Sequence, residues 1–75
     1  MSMREFFFSL DISVMDCELL YTGQIQNVNA VAHNGLTVRL PAANLRPFVT
    51  QIGIKGVFRM LVDENNKIQS FIQVK

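Results

Sequence analysis

His33 and Cys17 are the only histidine and the only cysteine in this chain, so base-assisted nucleophilic chemistry would have to be built around one of them. A catalytic imidazole needs an orienting acceptor and a pocket. His33 stands directly before Asn34-Gly35, a hairpin-tip pair that supplies neither. Cys17 lies close to a predicted helix start, where the dipole can lower a thiol pKa. It also falls on the apolar side of that helix, where a cysteine behaves as a small hydrophobe, and we read it as buried filler. Ser9, Ser13 and Ser70 have no sequence partner that suggests a triad. One histidine and one cysteine cannot complete a four-ligand zinc site, and a single thiol cannot form an intramolecular disulfide. The expectation is a chain without catalytic residues, metal or cofactor, and not an enzyme.

Charge offers a different chemistry. No carboxylate stands between Glu18 and Asp63, whereas the same stretch carries Arg39, Arg46, Lys55 and Arg59. A basic middle with nearby aromatics such as Phe48 and Phe71 suits single-stranded nucleic acid, by charge and base stacking. The plainer reading is a solvated sheet face with Arg59 over Phe71. The net charge of +1 gives little long-range attraction, so any anion affinity depends on local clustering. Gly53-Ile54-Lys55-Gly56 has the glycine spacing of a backbone-clamping GxxG loop. That loop joins two helices, whereas here the second glycine leads into a predicted strand.

The elements that position these groups follow from periodicity. Arg4 to Ile12 alternates Phe6, Phe8, Leu10 and Ile12 with Ser9 and Asp11, the pattern of a half-buried strand, with Phe7 as an aromatic on its outer face. Ser13 to Gly23 reads as a short helix: Ser13 and Asp16 form a capping pair, Gly23 suits the left-handed residue after the last turn, and Val14, Cys17, Leu20 and Tyr21 share a face. Gln24 to Leu40 reads as a hairpin. A three-residue loop of His33, Asn34 and Gly35 opposes Ala32 to Leu36, Ala30 to Val38 and Val28 to Leu40, which gathers the apolar set on one side. Pro41 and Pro47 predict two single helical turns, Ala42 to Leu45 and Phe48 to Gln51, with Arg46 pushed out of helical geometry by the proline after it.

Ile54 to Lys75 reads as a second hairpin. A loop of Glu64, Asn65 and Asn66 opposes Val62 to Ile68, Met60 to Ser70 and Phe58 to Ile72, with Asn66 left-handed and Asp63 facing Lys67 as an exposed ion pair. In that register Val57, Leu61 and Phe71 fall on the reverse face, so the hairpin is apolar on both sides. Large apolar patches mark interaction sites.

Several of these segments resemble a known family. Arg4 to Ser13 (REFFFSLDIS), Leu40-Pro41-Ala42, Leu45-Arg46-Pro47-Phe48, Gly56-Val57-Phe58-Arg59 and the Asp63 to Lys67 turn are similar to a small family of uncharacterised bacterial proteins, domain of unknown function 2835. The likeness spans nearly the whole chain. It implies a stand-alone single-domain protein from a gamma-proteobacterium, and it implies no activity and no site residue.

Residues 1–75 are therefore expected to form a single α+β domain. Five antiparallel strands make a strongly bent sheet or small open barrel, with one short helix after the first strand; an SH3-like barrel is the alternative. A chain this short has a thin stability margin, and with disulfide and metal excluded, self-association is the remaining support. The functional expectation is a non-catalytic binding or assembly module, a homo-oligomer with a dimer favoured, associating through Phe7, Val57, Leu61 and Phe71. The alternative is a nucleic-acid-binding module using Arg39, Arg46, Lys55 and Arg59. No apolar run approaches the ~18 residues of a membrane span, and the apolar run ending at Asp11 is not a signal peptide. A single unpaired thiol fits a cytoplasmic location.

Overall fold

A computed structural model describes residues 2–75. The elements run β1 (Arg4–Ile12), α1 (Val14–Thr22), β2 (Asn27–Val31), β3 (Thr37–Pro41), α2 (Ala42–Leu45), a 3-10 turn (Arg46–Phe48), β4 (Ile54–Val62) and β5 (Ile68–Gln73). All strand pairs are antiparallel. The strands divide into two open sheets, a three-stranded one in the order β1-β4-β5 and a two-stranded one of β2 and β3. This corrects the expectation of one continuous bent sheet or barrel. β1 pairs with β4 along its full length, Arg4 opposite Val62 through Ile12 opposite Ile54. At its other edge the His33 amide donates to the Phe7 carbonyl at 2.8 Å, and the β2–β3 hairpin leans its buried Ala30 and Leu40 onto the shared core instead of continuing the ladder.

That core is one cluster. Phe6, Phe8 and Leu10 of β1 face Ile54, Phe58, Met60 and Val62 of β4, and Cys17, Leu20, Ala42 and Leu45 close over them. Phe58 stacks on Phe71 with ring centroids 5.5 Å apart, and Phe48 meets both rings edge-on at 5.2 and 5.6 Å. Among the described residues no helix is long and apolar enough to cross a membrane.

The helix is capped as its sequence predicts. Ser13 Oγ accepts from the Asp16 amide at 3.2 Å, and Gly23 takes φ 82° after the last turn. Its buried face is narrower than expected. Cys17 and Leu20 are buried, whereas Val14 is 44% exposed and Tyr21 62%. Only the i, i+3 pair of Cys17 and Leu20 reaches the core.

The connection to β4 differs from expectation in two ways. Arg46 stays helical, at φ −53° and ψ −41°, and the second turn is Arg46–Phe48 rather than Phe48 to Gln51. Pro47 sits in the first turn of the 3-10 segment, where no amide is needed. The Arg46 guanidinium is anchored at the same time, its Nε donating to the Leu20 carbonyl at 3.0 Å. Thr50 and Gly53 then close a small bridged turn. Gly53, at φ 95°, lies against β1, and a Cβ there would collide with the Ile12 carbonyl oxygen.

The second hairpin contains the largest correction. Val62 opposes Ile68 as predicted, but a bulge follows, so that Leu61 opposes Ser70, Met60 opposes Phe71 and Arg59 opposes Ile72. Gln69 is the additional residue. The slip of one position exchanges the faces of Phe71 and Ile72. Phe71 packs on the core beside Phe58, and Ile72 turns outward at 44% exposure. The Asp63–Lys67 pairing is a backbone one, the Asp63 amide donating to the Lys67 carbonyl at 2.9 Å. The Asp63 carboxylate accepts from the amides of Asn65 and Lys67 and from the Gln69 side chain instead of forming an ion pair with Lys67.

Candidate functional site: an uncovered sheet face and an open groove

Strand alternation aims Glu5, Phe7, Ser9 and Asp11 of β1 and Lys55, Val57, Arg59 and Leu61 of β4 away from the core, and the pairing aligns them in rows. Glu5 stands opposite Leu61, Phe7 opposite Arg59, Ser9 opposite Val57 and Asp11 opposite Lys55. The bulge adds Ile72 beside Arg59. Phe7, Val57 and Leu61 are half-buried, and Ile72 and Val74 are more open. Two ion pairs span the face: Arg59 Nε to Glu5 Oε2 at 2.5 Å and Lys55 Nζ to Asp11 Oδ1 at 3.7 Å. Exposed pairs of this kind contribute roughly 0–1 kcal/mol. They join the acids of β1 to the bases of β4.

His33 joins the same face from the hairpin tip. Its ring lies 6.4 Å from that of Phe7 in a stacked arrangement, and its Nε2 is 2.8 Å from Ser9 Oγ. Sequence spacing gave no sign of this pair, because Ser9 and His33 meet only when the hairpin tip docks on β1. A serine hydroxyl beside an imidazole resembles a nucleophile and its base. Both residues lie on open surface, and no carboxylate hydrogen-bonds to His33 among the described residues. Cys17 is buried with its Sγ 4.0 Å from the Ile12 carbonyl. Burial is the main reason its thiol pKa is raised, which keeps the sulfur protonated. No group of three histidine, cysteine or carboxylate side chains able to hold a metal is present among the described residues.

The four central cations occupy different settings. Arg46 is half-buried on the Leu20 carbonyl, and Lys55 and Arg59 are paired on the outer sheet face. Arg39 is exposed on β3 and lines a groove of about 400 Å³ that also contains Arg4. The Arg4 guanidinium lies 6.0 Å over the Phe6 ring and donates to the Asn66 side-chain carbonyl. Sequence reasoning passed over Arg4 because it lies outside the carboxylate-free stretch, and only the fold brings it near Arg39. The Gly53-Ile54-Lys55-Gly56 segment enters β4 directly, and a Cβ on Gly56 would meet the Lys75 carbonyl and the Gln73 amide. Its glycines admit neighbouring chain.

The fold and these surfaces define a small antiparallel-sheet domain of two open sheets, whose three-stranded sheet carries a mixed apolar and charged outer face. The chain belongs to a family described as "Protein of unknown function (DUF2835)", whose family model matches residues 4–74. No curated protein and no solved structure matches it.

Proposed function

We propose that this protein is a non-catalytic binding and assembly module that self-associates as a dimer through the outer face of its three-stranded sheet. The observation that carries this reading is the cluster of Phe7, Val57, Leu61 and Ile72 around Arg59 on the outer face, of which Ile72 is 44% exposed and the other three are half-buried. Uncovered apolar patches rimmed by polar groups are the usual mark of an interface. The charge pattern favours a second copy as the occupant. A two-fold axis running between β1 and β4 sets the acidic strand of one protomer over the basic strand of the other, so Glu5 and Asp11 approach cations and the contact is self-complementary. Phe71 takes no part, because the bulge places it on the core. The nucleic-acid alternative requires the central cations on one surface. Arg46 holds the helix end while Lys55 and Arg59 have carboxylate partners, which favours assembly over that reading.

Sedimentation equilibrium from low micromolar to millimolar concentration tests the proposal. The expected result is a reversible dimer that Ile72→Asp weakens by about tenfold or more. A monomer throughout that range, with Ile72→Asp indistinguishable from the parent, defeats it.

A further inference from the structure

The groove containing Arg4 and Arg39 is a separate surface with a different chemistry. Four consecutive residues, Leu36 to Arg39, line one wall. Successive residues of a strand point to opposite faces, so a groove that touches all four runs along the strand's edge. The backbone of that edge is free. The Ala32 amide donates to the Leu36 carbonyl at 2.8 Å, and antiparallel alternation then makes Ala30/Val38 and Val28/Leu40 the hydrogen-bonded pairs. Thr37 and Arg39 therefore turn their N–H and C=O groups away from β2, and no backbone partner reaches them among the described residues. The opposite wall is apolar, formed by Phe6, Met60, Val62 and Ile68 from the inner face of the three-stranded sheet. No aspartate or glutamate lines the groove, and neither arginine has a carboxylate partner among the described residues.

We propose that this groove receives an extended acidic segment of a partner protein. The segment adds a strand to the Thr37–Arg39 edge, sets alternate side chains against Leu36 and Ile68, the more open apolar residues of the groove, and places a carboxylate between Arg39 and Arg4. Main-chain pairing supplies affinity and the alternate positions supply selectivity, as in other strand-addition interfaces. Arg4 keeps donors in reserve, since a guanidinium carries five N–H groups and Asn66 takes one contact. Two other occupants fit less well. A single-stranded nucleic acid needs an open aromatic platform, and the ring in this groove, Phe6, is 7% exposed. A second copy pairing edge to edge through β3 would bring Arg39 near its own counterpart, a like-charge opposition.

The test pans phage-displayed random peptides on the full chain and titrates the best synthetic peptide into isotope-labelled protein. Selected peptides are expected to alternate apolar residues with at least one carboxylate and to shift the Thr37 and Arg39 amide resonances. Arg39→Glu should weaken that peptide about tenfold or more. Thr37→Pro removes one edge donor at a position where proline is tolerated, and it should weaken the peptide too while leaving the remaining spectrum in place. Absence of enrichment over an unrelated control protein overturns the proposal. So does binding that leaves the Thr37 and Arg39 amides unmoved or that is indifferent to Arg39→Glu. It is likewise overturned if an oligothymidylate, and no selected peptide, shifts those amides with an affinity that falls steeply with salt.

Discussion

The two hairpins are built on the same turn and part company immediately beyond it. In the first, the Ala32 amide bonds the Leu36 carbonyl at 2.8 Å and the Gly35 amide bonds Ala32 at 2.9 Å; in the second, Asp63 and Lys67 are joined at 2.9 Å and Asn66 and Asp63 at 3.1 Å. Gly35 at φ 89° and Asn66 at φ 63° occupy the same left-handed position. The first hairpin then continues in register to Asn27 opposite Pro41, whereas the second breaks at Gln69. The core accounts for the difference. The first hairpin already presents Ala30 and Leu40 to the core in its unbroken register. The second presents Phe71, which packs on both Phe58 and Phe48 only when the register slips. Because the slip turns Ile72 out as it brings Phe71 in, the burial terms largely offset, and the gain lies in the two aromatic contacts, each worth about 0.5–1.5 kcal/mol, against about 0.5–1.5 kcal/mol for one ladder hydrogen bond. A turn thus sets register for its nearest pairs, and the core decides beyond them.

The largest expected effect breaks this comparison at the bulge. Phe71→Ser should destabilise the fold by about 2 kcal/mol, while Ile72→Ser should change stability by less than about 0.5 kcal/mol. Urea denaturation at a concentration where the parent is monomeric reads both. Equal losses, or the reverse order, would place Phe71 outside and restore the unbulged register.

A smaller effect tests the shared turn. Gly35→Ala forces a β-carbon into left-handed geometry and should cost about 1 kcal/mol. Asn66→Ala should cost somewhat less, because asparagine already bears part of that penalty. If the Asn66 substitution proves the more harmful by thermal unfolding, the two turns are not equivalent.

The smallest effect is specific to the second turn. The Lys67 amide is the main reason the Asp63 carboxyl is held below its ordinary pKa; desolvation opposes it, and the Asn65 amide and the Gln69 side chain add to the lowering. A lowered folded-state pKa means that its stabilisation is present above the unfolded value of about 3.9 and is lost as the pH falls from there through the folded value. Asp63→Asn should flatten the stability profile in that acid window. An unchanged acid slope would show that these hydrogen bonds are not maintained in solution.

Much of the local structure was legible in the residues. Ser13 and Gly23 bracket the helix, Gly35 and Asn66 locate both turns, and the Ala30/Val38 register follows from keeping apolar residues on one side. The illegible parts depend on contacts between distant segments. The bulge answers to Phe48, which belongs to another element. The division into two sheets depends on how the hairpin leans against β1. The ion pairs of Arg59 with Glu5 and Lys55 with Asp11 require β1 to lie beside β4, and the pairing of Arg4 with Arg39 across a groove requires both sheets. Four cations that looked like one basic region therefore separate into a helix anchor, two paired residues and one groove residue.

The outer sheet face is the centre of this account, and an isotope-filtered NOE experiment reports on it directly. A millimolar sample mixing labelled and unlabelled chains should give intermolecular cross-peaks from the Phe7 ring to the methyl groups of Val57 and Leu61. No such cross-peaks, or cross-peaks confined to Leu36 and Val38, would contradict it.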